Sequence, residues 1–204
     1  MKCTIVGAGA FYGFARRPEA HDCVIAADGG YAVCQREGIK PRYVLGDFDS
    51  LGTVPDIPNI MTFPVEKDDT DMMLAVKKGL EEGCREFFIY GGTGGRLDHT
   101  IANLQTLLYL TRRGARGWLF DQNARYTVVE NGTLILNARR EGILSVFSFD
   151  GTAEGVTVSG AKYPLAHGVL TADFPLGVSN HFVGEPVTIT VEKGALLVCV
   201  CDDE

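Results

Sequence analysis

Up to about residue 125 the chain alternates short apolar runs with stretches of helical periodicity, and beyond that point the helical periodicity stops. This change of pattern constrains the fold more than any other feature. The runs Cys3–Val6, Cys23–Ala27, Tyr43–Leu45, Ile60–Phe63, Phe87–Tyr90 and Trp118–Phe120 read as strands. Between them, Asp71–Glu82 sets Met72, Val76 and Leu80 on one stripe and stops at Gly83. Thr100–Arg113 sets Ile101, Leu104 and Leu108 on one stripe, with Arg112 and Arg113 suited to the negative end of the helix dipole and Gly114 beyond them. A shorter helix is expected over Gly30–Glu37, ending at Gly38. Strands alternating with helices predict a parallel sheet covered by helices.

The second half contains only strand patterns: Tyr126–Glu130, Thr133–Asn137, Ile143–Phe149, Gly155–Ser159, Asn180–Val183, Val187–Val191 and Ala195–Val200. Asn131-Gly132 is a tight-hairpin signal and Lys193-Gly194 a weaker one. Leu176-Gly177-Val178 reads as a loop. The expectation is an α/β chain: an N-terminal parallel-sheet nucleotide-binding domain over residues 1–125, then a C-terminal all-β sandwich over residues 126–204. No repeat or low-complexity linker separates the two.

The formal net charge of −7 argues against a nucleic-acid binder, which usually carries a basic face. It leaves room for a nucleotide, because local groups and a metal offset global charge. No run is apolar enough to span a membrane. Lys2 followed by Cys3–Ala15 has some look of a signal peptide, but its glycines and the following Arg16 and Arg17 weigh against export. The cysteines Cys3, Cys23, Cys34, Cys84, Cys199 and Cys201 are scattered and form no CxxC, which fits a reducing, cytoplasmic setting. Cys199 and Cys201 share a strand face and read better as small buried residues than as half a metal site.

Several polar motifs sit where strands end. In Gly46-Asp47-Phe48-Asp49-Ser50, extended geometry turns Asp47 and Asp49 to one side, and paired carboxylates call for a cation; oxygen-only donors suit magnesium. Glu66-Lys67-Asp68-Asp69-Thr70-Asp71 opens the next helix with more acids than capping requires, and Lys67 is a candidate phosphate contact. Gly91-Gly92-Thr93-Gly94-Gly95-Arg96-Leu97-Asp98-His99 leads from a strand into a helix. Its glycines admit a close ligand, the helix start offers N–H groups to an anion, Arg96 can grip phosphate bidentately, and Asp98 is a further oxygen donor. The loop is neither a Walker A nor a dinucleotide fingerprint. Ala27-Asp28-Gly29-Gly30 is a common turn alone, but Asp28, Asp47, Asp71 and Asp98 are all expected at the carboxyl ends of strands, where open parallel sheets bind ligands.

In order and wording these motifs resemble the thiamine pyrophosphokinase family, and the resemblance continues through Gly160-Ala161-Lys162-Tyr163-Pro164-Leu165 and Ser179-Asn180. It implies an α/β nucleotide domain followed by a β-sandwich. It implies that Asp47, Asp49, Asp71 and Asp98 bind magnesium, with Asp71, Asp98 and Arg96 catalytic. It implies that Asp28, Gly29, Gly30, Lys67 and Gly91, Gly92, Thr93, Gly94, Gly95 and Arg96 contact ATP. Tyr163 would lie against thiamine, with Ser179 and Asn180 as polar contacts; the residues alone allow Tyr163 to be a core or edge aromatic. The resemblance also implies a homodimer whose sites are shared between chains.

The reaction so implied moves a diphosphate group whole from ATP to the thiamine hydroxyl, releasing AMP, with Asp71 or Asp98 orienting or deprotonating the hydroxyl. Two rivals stand beside it: a diphosphokinase for another small alcohol such as a hydroxymethylpterin, and a non-catalytic thiamine or nucleotide sensor. The second-half motifs weigh against the first, and the number of retained aspartates against the second.

Overall fold

The computed structural model describes residues 1–46, 59–62 and 68–202. The chain divides into two compact units, Met1–Gln122 and Asn123–Glu204.

In the first unit the strands are β1 (Lys2–Val6), β2 (Cys23–Ala27), β3 (Tyr43–Gly46), β4 (Ile60–Thr62), β5 (Glu86–Tyr90) and β6 (Arg116–Phe120). Every pairing among them is parallel, in the order β4-β3-β2-β1-β5-β6. The chain therefore builds outward from β1 on one side, then returns to place β5 on the other. The Lys2–Val6 segment is a central strand with a fully buried Cys3, Ile5 and Val6. Such strands are hydrophobic on both faces because helices cover both. On one face Val6, Ala26 and Val44 pack with Cys34 of α1 (Gly30–Arg36). α2 (Asp71–Glu81) buries Met72, Ala75, Val76 and Gly79, and α3 (Leu97–Thr111) buries Thr106, Leu107 and Leu110.

The ends of α2 follow from local chemistry. Thr70 is the N-cap, its side-chain oxygen accepting from Met73 N–H at 3.1 Å. The acids beside it are not the cap. At the other end Gly83 takes φ 82°, and Cys84 N–H bonds back to Gly79 carbonyl at 3.0 Å, the Schellman closure.

That closure has a consequence for the thiols. Cys3 and Cys23 are register partners on β1 and β2, and Cys84 is folded back toward them, so three cysteines that look scattered in sequence meet at the amino-terminal edge of the sheet. Hydrogen bonding from Cys3 pulls the Cys84 thiol down to about 7, against the cost of its burial. Cys34, by contrast, is buried away from that cluster, and desolvation pushes it up to about 12.

The second unit is antiparallel. β7 (Ala124–Leu136) and β12 (Val187–Cys201) pair along their lengths, from Ala124 opposite Cys201 to Leu136 opposite Val187. The other edge of β12 is shared: β9 (Thr152–Ser159) pairs with its first half and β8 (Ile143–Ser148) with its second. β10 (Leu165–Thr171) extends β9, and β11 (Gly177–His181) extends β8. The ladder is thus continuous through β12, with Leu134, Leu144, Val146, Val156, Ile189, Leu196 and Val198 buried.

Two expected hairpins are absent from their places. Asn131-Gly132 lies inside β7 and Lys193-Gly194 inside β12. Asn131 does adopt the positive φ that a tight turn would use, at 44°, but it serves a bulge: the register slips between Val191 and Ala195, and Asn131 Oδ1 accepts from Gly194 N–H at 2.9 Å. Turn-forming residues facing each other across a ladder bend both strands without ending either. β10 escaped the sequence reading because only Leu170 in it is buried, so it shows no alternation. Leu176-Gly177-Val178 is corrected likewise, since Gly177 opens β11. Cys199 and Cys201 do share a face, with their sulfurs 3.4 Å apart.

Candidate active site

With β1 at the centre and β5 returning beside it, the order reverses between these two strands. The carboxyl ends of strands flanking such a reversal splay their loops apart and leave a crevice. The first unit has a cleft of about 580 Å³ there, lined by loops after β1, β2 and β5 and by the starts of α2 and α3.

The loop after β5 is held in several ways. Gly91 takes φ 63°, and a Cβ there would come within 2.4 Å of the Gly7 carbonyl oxygen, so only glycine fits. The loop after β1 runs alongside: Gly9 N–H donates to Gly91 carbonyl at 2.8 Å and Ala10 N–H to Thr93 carbonyl at 2.9 Å. From beneath, buried Asn103 of α3 donates from Nδ2 to Gly92 carbonyl at 2.8 Å, and Thr93 Oγ1 donates to Asp121 Oδ1 at 2.8 Å. The glycine loop is therefore pre-set rather than slack, which is what a close-fitting anion site requires.

The expected residues fall into groups. Asp28 follows β2 directly, with φ 48°, Asp71 is the first residue of α2, and both line the cleft with Gly91, Gly92, Thr93, Gly95 and Arg96. Gly29 is the N-cap of α1, buried Gly30 begins that helix, and Gly94 packs toward Ala10 and Tyr12; none of the three is on the cleft wall. Asp98 is off the wall as well. Its carboxylate accepts from Arg96 Nη2 at 2.5 Å and Nε at 3.1 Å and from His99 N–H at 3.0 Å. The Arg96 contact holds the Asp98 carboxyl below its usual range. Both partners are largely exposed, at 73% and 62%, so the pair is open to exchange for a ligand's charges. Asp47, Asp49 and Lys67 lie outside the described residues.

Tyr163, Ser179 and Asn180 gather in the second unit. Asn180 Oδ1 accepts from Tyr163 N–H, and its Nδ2 donates to Tyr163 carbonyl. Ser179 holds φ 61°, with its N–H donating to Ser145 Oγ at 3.1 Å. Tyr163 is 57% exposed, its ring edge-on to His181.

The sequence reading missed Gly7, Ala8 and Gly9, which form one wall; Thr70, His99 and Asn103, to which it gave no site role, line the cleft as well. A Gly-x-Gly directly after the first strand of an alternating pattern was the signal available for the first of these.

A crevice at the switch point of a parallel sheet, with a braced glycine loop, three wall carboxylates (Asp28, Asp69 and Asp71) and an exposed arginine, defines a class of small-molecule enzyme handling an anionic ligand. Comparison with known proteins narrows this. The family described as thiamin pyrophosphokinase, catalytic domain, matches residues 14–119, and the thiamin pyrophosphokinase vitamin B1 binding domain matches residues 133–196. The chain belongs to the thiamine pyrophosphokinase family, whose activity is that of a thiamine diphosphokinase using ATP as co-substrate. It is 28% identical over 187 residues to the thiamine pyrophosphokinase of Bacillus subtilis, covering 88% of this chain and 87% of the relative. Among solved structures it superposes on the Bacillus subtilis enzyme with a TM-score of 0.90, at 26% identity and full coverage of both chains. The Geobacillus thermodenitrificans enzyme gives 0.87 at 28% identity, covering 100% of this chain and 99% of that one. The fold extends to the Candida albicans protein, at a TM-score of 0.77 and 13% identity, covering 99% of this chain and 90% of that one. Among the described residues, no helix is long and apolar enough to cross a membrane.

Proposed function

We propose that the switch-point cleft of the first unit binds ATP with magnesium, and that the second unit presents thiamine through Tyr163. The carrying observation is the rigid Gly91–Arg96 loop facing Asp28 and Asp71 across one cleft. On this reading the first unit is a nucleotide-binding domain of residues 1–125 and the second a β-sandwich folded from one continuous ladder over residues 126–204.

The wall donors suit magnesium, since Asp28 and Asp71 offer hard carboxylate oxygens and magnesium combines few carboxylates with phosphate oxygens. Asp28, Asp71 and Asp98, with Asp47 and Asp49, would hold it. When bound it neutralises developing phosphate charge. The chain's own groups do the rest. The N–H groups and close-packed backbone of Gly91–Gly95 seat the polyphosphate. Arg96 leaves Asp98 to grip phosphate oxygens, which frees the Asp98 carboxylate. Asp71 or Asp98 orients the thiamine hydroxyl and takes its proton. The hydroxyl oxygen bonds to the β-phosphorus, the bond to the oxygen bridging the α- and β-phosphates breaks, and AMP departs. Positioning and fixed charge supply most of the acceleration in such transfers.

Asn180 acts through Tyr163, because its amide is spent on that residue's backbone. Ser179, next to it in the chain, is a polar contact to the vitamin. The protein works in the cytoplasm as a homodimer, with the first unit of one chain serving the second unit of its partner. Exposed Tyr163, Val169, Phe174, Leu176 and Val183 give the second unit an apolar surface for this purpose.

The test is metal dependence. Thiamine turnover with ATP should vanish on chelation and return with magnesium. Turnover that persists in excess chelator overturns the assignment.

A further inference from the structure

The cleft opens at the carboxyl ends of the strands. At their amino-terminal edge the Sγ atoms of Cys3, Cys23 and Cys84 all lie within 4.8 Å of one another, and all three residues are buried to 1% exposure or less. We propose that these three cysteines form a binding site for one soft, monovalent, thiophilic cation of the Cu(I) class, separate from the nucleotide cleft.

Geometry is the first support. Three sulfurs bound to one ion at about 2.3 Å stand roughly 4 Å apart, and no side of the observed triangle exceeds 4.8 Å, so little movement is needed. The backbone fixes its corners. Cys3 and Cys23 are register partners on adjacent strands, and the Schellman closure of α2 brings Cys84 back to Gly79. Gly79 in turn clears the space over Cys3: a Cβ there would stand 3.0 Å from Cys3 Sγ and 2.6 Å from the Phe87 ring. The site is assembled by sheet pairing and a helix end, not by mobile loops.

The donor set selects the ion. The group holds sulfur alone, with no histidine or carboxylate among its members. Asp22, next to Cys23 in sequence, is held by Arg16 at 2.6 Å and by the Glu19 N–H at 2.9 Å, and Glu82, two residues before Cys84, by Lys78 at 3.0 Å, Arg42 at 3.0 Å and the Tyr43 hydroxyl at 2.8 Å. Zinc in structural sites takes four ligands, whereas thiolates in a buried three-sulfur set suit Cu(I). The Cys84 thiol donates to the Lys2 carbonyl at 3.7 Å, and that proton would be displaced on binding.

The experiment uses the full chain in a Cys199→Ser, Cys201→Ser background, so that the other close sulfur pair cannot contribute. Cu(I) is added without oxygen against a coloured Cu(I) chelator. One equivalent per chain should be retained, and X-ray absorption should show three sulfur neighbours and no nitrogen or oxygen. Cys23→Ala and Cys84→Ala, checked for native circular dichroism, should each weaken retention by about a hundredfold, since even supporting residues of metal sites cost ten- to a hundredfold. Should a variant fail to fold, the absorption spectrum of the unaltered cluster decides. Retention unchanged in Cys23→Ala, a first shell with fewer than three sulfurs, or preference for Zn(II) over Cu(I) overturns the proposal. Copper retention in the unaltered chain is independent of thiamine turnover with ATP, so this proposal and the proposed activity fail separately.

Discussion

The side-chain amide of Asn180 carries the backbone of Tyr163: Oδ1 accepts from the Tyr163 N–H at 2.9 Å, and Nδ2 donates to the Tyr163 carbonyl at 2.7 Å. The same Oδ1 accepts from His181 N–H at 2.9 Å. An exposed aromatic residue is thereby given a fixed base.

Losing that base should act on thiamine and not on ATP. Two hydrogen bonds at about 1 kcal/mol each correspond to a thiamine KM rise of roughly tenfold or more in Asn180→Ala. Tyr163→Ala, which removes a ring able to face the thiazolium cation, should cost about 1–2 kcal/mol in the same parameter. Steady-state kinetics with each substrate varied checks both. A selective rise in the ATP KM would place Tyr163 in the other pocket.

Asp47→Asn, Asp71→Asn and Asp98→Asn should each lose most turnover while remaining folded by circular dichroism. Double variants should lose little more than single ones, because the carboxylates act as a unit. Turnover near that of the unaltered chain for any one of them removes that residue from the metal site.

Shared sites predict complementation. At thiamine well below the raised KM, an Asp47→Asn chain and a Tyr163→Ala, Asn180→Ala chain should each be nearly inactive. With equal random mixing about a quarter of all sites are then intact, since the two defects gather in one site of each mixed dimer. Activity fixed at the parental level despite proven subunit exchange means that each site is built within one chain.

Stability should depend on acidity through Glu82. Its carboxyl is held below the usual range, first by Lys78 and then by the Tyr43 hydroxyl. A lowered folded value stabilises above the unfolded value of about 4.3, and the benefit is lost as pH falls through the folded value. The melting temperature of Glu82→Gln should therefore lie below that of the unaltered chain at pH 7, and the gap should close on acidification. A gap that widens below pH 4 contradicts the sign.

The first unit was legible because its signals are local. Apolar runs such as Cys23–Ala27 coincide with the observed strand, and Gly83 stops α2 where a left-handed residue is required. The rim bearing Asp28, Asp71 and Gly91–Arg96 followed from strand ends alone. What stayed hidden depends on pairing between distant segments. Asn131 and Gly194 form one bend across the β7–β12 ladder, and nothing in either dipeptide distinguishes a bulge from a hairpin. The engagement of Asn180 with Tyr163 and the meeting of Cys3, Cys23 and Cys84 likewise need the register of strands far apart in sequence.

The central claim is transfer of a diphosphate group as one piece, and product identity tests it most directly. The protein incubated with ATP, magnesium and thiamine should give AMP and thiamine diphosphate in equal amounts, read by phosphorus NMR or ion-exchange chromatography. ADP with thiamine monophosphate as the first products would contradict it.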